Sequence, residues 1–271
     1  MARLRITRLP LLLTALGLVA IVMAGLGTLV ALWSQPASAS RSSTVEPPCS
    51  PQHPCLALVI DDVGRDLDAL EQLLALRLDL TFSVLPHARH TKQSLAAIRR
   101  RSREILVHLP MAPTDLSRIT DETVVLGRDA PLERALDACL DRVPGAVGAS
   151  NHMGSRLSAM PEAVSRVLRG IARRGLWFLD SRTARHSLFC TRARAEGVPC
   201  VERDVFLDDP PGLKTVTGRL EEAVQLARKQ GKAVAIGHPL PATIALLRHL
   251  DRMEQPRRVR IRRLSRLVDG T

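Results

Sequence analysis

The sequence predicts an α/β fold: a distorted (β/α) barrel of about seven parallel strands, preceded by an amino-terminal transmembrane or signal segment. Three observations carry this. From residue 55 onward, short apolar runs rich in β-branched residues alternate with longer stretches of helical apolar spacing, as in a parallel sheet with helical crossovers. Several of those runs end in an acidic or imidazole side chain, at the strand end where parallel folds build their sites. No G-x-G-x-x-G follows the first run, which counts against a dinucleotide fold; a doubly wound open sheet is the alternative arrangement.

Residues 1–33 read as a membrane segment. Arg3, Arg5 and Arg8 precede an almost unbroken apolar stretch from Leu9 to Trp33, about 25 residues and long enough to span a bilayer with some tilt. The arginines favour a cytoplasmic amino terminus, so the remainder is expected outside the cytoplasm, anchored to the inner membrane. A cleaved signal peptide ending near Ala37-Ser38-Ala39 is the rival reading, although its apolar core is usually only about 7–15 residues. Residues 34–54, rich in Pro, Ser, Ala and Gln, read as an extended tether.

The folded domain is expected over 55–255. Strands are predicted at 55–60, 80–85, 104–108, 146–150, 176–180, 201–207 and 233–237. Helices are predicted near 66–76, 91–101, 131–142, 159–174, 186–195, 214–231 and 242–253. Leu67, Leu70, Leu73 and Leu74 have the spacing of one packed helix face, as do Val164, Val167, Leu168 and Ile171. Gly175 and Gly231 stand where helices should stop.

The net charge of +12 is mostly arginine, concentrated in Arg99-Arg100-Arg101 with Arg103 and in a basic tail, 256–271. Nucleic acid is not the expected partner: there is no Tyr, and aromatic residues to stack on bases are few. The tail reads as a solvated, frayed end, with contact to anionic lipid or a polyanionic envelope polymer as the other reading. Of five cysteines, Cys49 with Cys55 and Cys190 with Cys200 could pair in an oxidising compartment, and Cys139 reads as a core residue. No C-x-x-C spacing marks them as metal ligands.

The chemistry gathers at strand ends. Leu56-Ala57-Leu58-Val59-Ile60 runs into Asp61-Asp62, and two adjacent carboxylates in a buried setting call for a cation or a reaction. One Asp could instead cap the next helix, and adjacent strand residues point to opposite faces, so the two need not share a task. His108 ends a strand before Leu109-Pro110, and His152 follows the strand 146–150 in Asn151-His152-Met153-Gly154. A carboxylate with two imidazoles and an open position for water suits zinc or a related transition metal. His238, in Gly237-His238-Pro239, is placed to act as a general acid. Asp180 either orients a histidine, holds an arginine or caps the following helix. His87 and His90 are placed to line a substrate groove, with Asn151, Arg156 and Arg182 expected in substrate contact alongside His87. Asp208-Asp209, before Pro210-Pro211, read as turn residues.

Together the blocks Val59-Ile60-Asp61-Asp62-Val63-Gly64, Leu85-Pro86-His87, His108-Leu109-Pro110-Met111, Asn151-His152-Met153-Gly154-Ser155-Arg156, Phe178-Leu179-Asp180-Ser181-Arg182-Thr183, Asp204-Val205-Phe206-Leu207-Asp208 and Ile236-Gly237-His238-Pro239 resemble the divergent polysaccharide deacetylase family, relatives of carbohydrate esterases with the NodB homology domain. The resemblance implies a distorted (β/α) barrel and a metal-dependent N- or O-deacetylase acting on an envelope or extracellular polysaccharide. It also implies that Asp61 is the base, Asp62 a metal ligand and His238 the acid. The better-known deacetylases take both His ligands from one H-x-x-x-H block. Here the fourth residue after His108 is Ala112, so the imidazoles are expected from His108 and His152 on separate strand ends. A non-catalytic envelope protein that binds glycan or a protein partner through the same groove is the alternative function.

Overall fold

The computed structural model describes residues 47–120, 124–128, 131–253 and 259–268, so the expected membrane or signal segment at 1–33 lies outside the described residues. Among the described residues no helix is long and apolar enough to cross a membrane. Nine strands form one curled sheet: β1 (Cys55–Val63), β2 (Thr81–Val84), β3 (Glu104–Met111), β4 (Gly148–Met153), β5 (Trp177–Asp180), β6 (Cys200–Glu202), β7 (Val205–Phe206), β8 (Lys232–Gly237) and β9 (Arg260–Ile261). The order is β6-β5-β4-β3-β2-β1-β8-β7, with β9 also on β1, and all of these strand pairs are parallel. This is the distorted (β/α) barrel that the alternation predicts.

The crossovers are α1 (Leu67–Leu74), α2 (Thr91–Arg100), α3 (Leu132–Arg142), α4 (Pro161–Arg173), α5 (Phe189–Ala193), α6 (Leu213–Gln230) and α7 (Pro241–Arg252), each within a few residues of the predicted range. Local chemistry sets their ends. Asp66 caps α1 by accepting from the Ala69 N–H at 2.9 Å. Gly231 ends α6 in a left-handed conformation, φ 91°. The face of α4 that carries Val164, Val167, Leu168 and Ile171 is completely buried. Each such side chain contributes about 1.5–3 kcal/mol relative to exposure. β1 is buried along nearly its whole length between β2 and β8, which is why it reads as an unbroken apolar run.

Three expectations change. The predicted strand 201–207 is two short strands, β6 pairing β5 and β7 pairing β8. Between them Arg203 donates its backbone N–H to Asp180 O, and Asp204 donates its own to Val234 O. One continuous segment therefore touches both edges of the sheet.

The basic tail is not a frayed end over its described part. Val259, Ile261, Leu264, Leu267 and Val268 are buried, and arginines fall between them. Leu264 N–H donates to Thr81 Oγ1 at 2.9 Å and Ser265 N–H to the buried Glu104 Oε1 at 3.0 Å. Arg263 pairs with Asp79. The high arginine count conceals an apolar pattern that closes the bottom of the barrel, so the domain runs beyond 255 to residue 268.

The last part of the expected tether is likewise fastened. Cys49 is bonded to Cys55 at the start of β1, and Ser50 pairs with His53. The second bridge joins Cys190 in α5 to Cys200 in β6, and Cys139 is a free, buried core residue.

Leu264→Ala should therefore destabilise the domain by about 2–5 kcal/mol, as for a buried core leucine. Chemical denaturation measures this, and a loss below about 0.5 kcal/mol would show that 259–268 is dispensable.

Candidate metal centre and active site

The site begins with a kink. The β1–β2 register shifts between Ile60 and Val63, and Asp62 has φ 58°, in the left-handed region that non-glycine residues seldom adopt. Regular alternation would send neighbouring carboxylates to opposite faces of the sheet. Instead Asp62 Oδ1 lies 3.2 Å and Asp61 Oδ2 3.6 Å from the same atom, His108 Nε2. Met153 (φ 54°), at the end of β4, and Arg182 (φ 48°), just past β5, are also left-handed. Three of the four left-handed non-glycine residues among the described residues thus lie at one mouth of the barrel, the fourth being Ser102 just before β3.

His108 comes from β3 and His152 from β4, whose pairing puts Pro110 opposite His152. His152 Nδ1 is 2.8 Å from Asp62 Oδ1. Ser150 Oγ holds the Nδ1 of His108 at 2.8 Å and is itself 2.6 Å from Ser83 Oγ, which leaves Nε2 facing the carboxylates. Asp62, His108 and His152 each offer a donor atom, all within 4.8 Å of one another. Two imidazole nitrogens and a carboxylate oxygen, with one imidazole fixed by a hydroxyl behind it, fit a divalent transition-metal ion. A second grouping, Asp180, Cys190 and Glu202, does not fit, because the sulfur of Cys190 is committed to a disulfide.

The two aspartates are tuned apart. Burial raises the pKa of Asp61, and the nearby His108 and His238 only partly offset it. Its Oδ1 is buried with no hydrogen-bond partner among the described residues. Burial opposes ionisation of Asp62 as well, but hydrogen bonds from His108 and His152 outweigh it and hold that carboxyl well below the ordinary range.

His238 follows β8 on the far side. Its Nδ1 is 2.8 Å from Asp208 Oδ1, and its backbone N–H donates to Asp208 Oδ2 at 2.6 Å. Thr243 Oγ1 donates to the same oxygen at 2.7 Å. Burial disfavours the imidazolium, yet Asp208 prevails and lifts the pKa to about 9. Asp208 is thus a buried anchor for His238 and not only the turn residue that Pro210-Pro211 suggest. The signal in the sequence was its position at the end of Val205-Phe206-Leu207, a strand too short to stand out.

Asp61, His108, Asn151, His152, Arg182 and His238 share a cleft of about 440 Å³. Asn151 braces its floor, accepting from Ser181 N–H at 2.8 Å and donating to Met153 O at 2.9 Å. Five expected residues fall outside that lining: Asp62, Asp180, His87, His90 and Arg156. Asp62 meets the cleft only through its contacts with the lining residues His108 and His152. Asp180 is buried, and its Oδ1 caps the Arg182 N–H at 2.8 Å; burial raises its pKa, and its carboxylate is hydrogen-bonded to no histidine among the described residues. It therefore does not orient a catalytic imidazole. His87 lies in the turn after β2, and Arg156 is exposed beside the cleft, not in it. Arg118 and Arg203 line it instead, and nothing in their sequence neighbourhoods marked them out.

The fold and site define a parallel (β/α) barrel with a carboxylate and two imidazoles gathered at its carboxyl-terminal mouth. The chain is a member of the divergent polysaccharide deacetylase family, whose profile matches residues 58–268. It is 34% identical over 197 residues to the uncharacterized protein YibQ of Escherichia coli K12, covering 72% of this chain and 61% of that one. The chain thus spans under two thirds of that relative's length. Its fold is similar to that of an uncharacterized protein from Agrobacterium tumefaciens C58, with a TM-score of 0.74 and 24% identity over 80% of this chain and 90% of that one. It is also similar to the catalytic domain of a peptidoglycan N-acetylglucosamine deacetylase from Eubacterium rectale, with a TM-score of 0.51 and 15% identity over 79% and 90% of the two chains.

Because Asp208 raises the pKa of His238, the His238 contribution to stability is complete below the unfolded value near 6.5, as long as Asp208 stays ionised, and is lost as pH rises through about 9. Asp208→Asn should bring the His238 titration, followed by NMR, down by at least about one unit. A titration that does not move would refute the assignment.

Proposed function

We propose that the protein hydrolyses acetyl groups from a polysaccharide with a divalent cation, zinc or a related transition metal, held by Asp62, His108 and His152. The observation that supports this most directly is the convergence of those three donors with Asp61 beside them and His238 across the same cleft. The cation supplies Lewis acidity toward an acetyl carbonyl and acidity to water. Everything else falls to side chains. Asp61, buried and with an unpartnered oxygen, is the base that takes a proton from the attacking water. His238, kept protonated at neutral pH by Asp208, delivers a proton to the departing amine or alcohol. Asn151 and Thr183 hold the β4 and β5 ends together: Thr183 Oγ1 donates to Met153 O at 2.6 Å. The acetyl C–N or C–O bond breaks, and acetate and a free amine or hydroxyl leave.

Two disulfides support an oxidising compartment, as does the export segment read from the sequence of residues 1–33, and the reading is of an envelope substrate met by a protein anchored at the inner membrane. The structural relative that acts on peptidoglycan N-acetylglucosamine makes N-acetylated envelope glycan the first substrate to try.

Purified protein loaded with zinc should release acetate from N-acetylated glycans, and a chelator should abolish release. Asp62→Ala should lose both metal and activity. Asp61→Asn should retain metal, measured by elemental analysis, while the rate falls by about 10²–10⁴-fold. The rate should also fall above about pH 9 as His238 loses its proton, and Asp208→Asn should shift that limb downward. Metal-loaded protein that binds glycan yet releases no acetate from a broad panel would instead indicate a glycan-binding protein.

A further inference from the structure

The geometry points to an acidic glycan as the ligand of this cleft: a polysaccharide carrying a carboxylate, sulfate or phosphate on a sugar next to the acetylated one. This rests on the proposed function for the reaction but not for the binding. The first observation is what the cleft lacks. Neutral sugars are commonly gripped by their apolar C–H faces against flat aromatic rings. Among the described residues the only ring of Phe, Tyr or Trp lining the cleft is Phe206. One face of that ring is covered by the guanidinium of Arg203, 3.8 Å from its centroid, and the His238 ring lies nearly parallel to it at 6.2 Å. Trp177 is buried in the core.

The second observation is what the cleft has. Arg118, Arg182 and Arg203 line it, against Asp209 as the one added carboxylate beyond Asp61. Arg203 is fixed by its Nε on Ser181 O at 2.7 Å and Nη2 on Arg182 O at 3.0 Å, with Nη1 left to donate elsewhere. Among the described residues the Arg182 side chain is held by an exposed pairing with Glu202 at 3.2 Å. The two cations sit close enough for Arg182 to add to the burial that lowers the Arg203 pKa. A like-charged pair of guanidiniums at a cleft wall is relieved by an anion, which a planar fork meets with two hydrogen bonds. Arg118 projects from a short turn after β3 that Asp115 caps, its Oδ1 accepting from Ser117 N–H at 3.0 Å. The turn carries an exposed arginine to the rim, with the exposed Asp115 carboxylate near enough for their charges to attract.

The test is binding by calorimetry to the full chain, at low and moderate salt. Three hexasaccharides are compared: neutral N-acetylglucosamine, the same with 6-O-sulfate, and alternating N-acetylglucosamine and glucuronate. At least one anionic glycan should bind about tenfold tighter than the neutral one, with an advantage that shrinks as salt rises. The doubly substituted R118Q/R182Q protein should lose about fivefold or more of that preference. Both arginines are exposed, so folding should persist, and thermal melting checks it. R100Q, an exposed arginine outside the cleft, should keep the preference. Equal or tighter binding of the neutral glycan, or a preference untouched by R118Q/R182Q, would overturn the inference. Acetate release is read separately. Anion preference without release leaves this inference standing and removes the deacetylase reading. Release with no anion preference does the reverse.

Discussion

Everything in this cleft follows from placing two neighbouring carboxylates in a buried position at the end of the central strand. A charge there is costly unless it is met by hydrogen bonds, a cation or a proton. The protein meets the demand unequally. The imidazoles of His108 and His152 hold the Asp62 carboxyl well below the ordinary range, whereas burial dominates at Asp61 and raises its affinity for protons. Two residues of one type, adjacent in sequence, are thereby differentiated by environment alone. The left-handed turn at Asp62 makes this possible, since without it the pleat would separate them.

Support for that arrangement is layered. Ser83 and Ser150 fix His108 from behind, and Asp208 with Thr243 fixes His238. Ser83 and Ser150 lie on strands, Asp208 just past one and Thr243 in the first turn of α7, so the two imidazoles inherit the rigidity of regular elements. Opposite the mouth, Glu104 and Thr81 receive the backbone of the carboxyl-terminal turn. The two ends of the barrel thus use buried polar groups for different purposes, closure at one and chemistry at the other.

The sequence displayed most of this, because strand ends are where parallel barrels place their working residues. Asp61, Asp62, His108, His152 and His238 were all legible as polar residues terminating apolar runs. What escaped notice has physical reasons. Asp208 ends a strand of two residues, too short to register as periodicity. Asp180 terminates β5 as the others terminate theirs, yet its side chain turns to its own backbone, a choice that spacing cannot reveal. Arg118 and Arg203 reach the cleft from irregular segments, whose side-chain directions follow from three-dimensional closure. The buried carboxyl-terminal strand was masked by the arginines between its apolar residues.

The segment from Cys200 to Asp208 has a mechanical consequence. It carries β6 on one sheet edge, crosses to β7 on the other, and ends at the carboxylate that grips His238. Its first residue is tethered through a disulfide to α5. Any force or slippage that opens the barrel at this seam must also pull the anchor away from the imidazole. Curvature of the wall and the hold on His238 are therefore joined through one short segment.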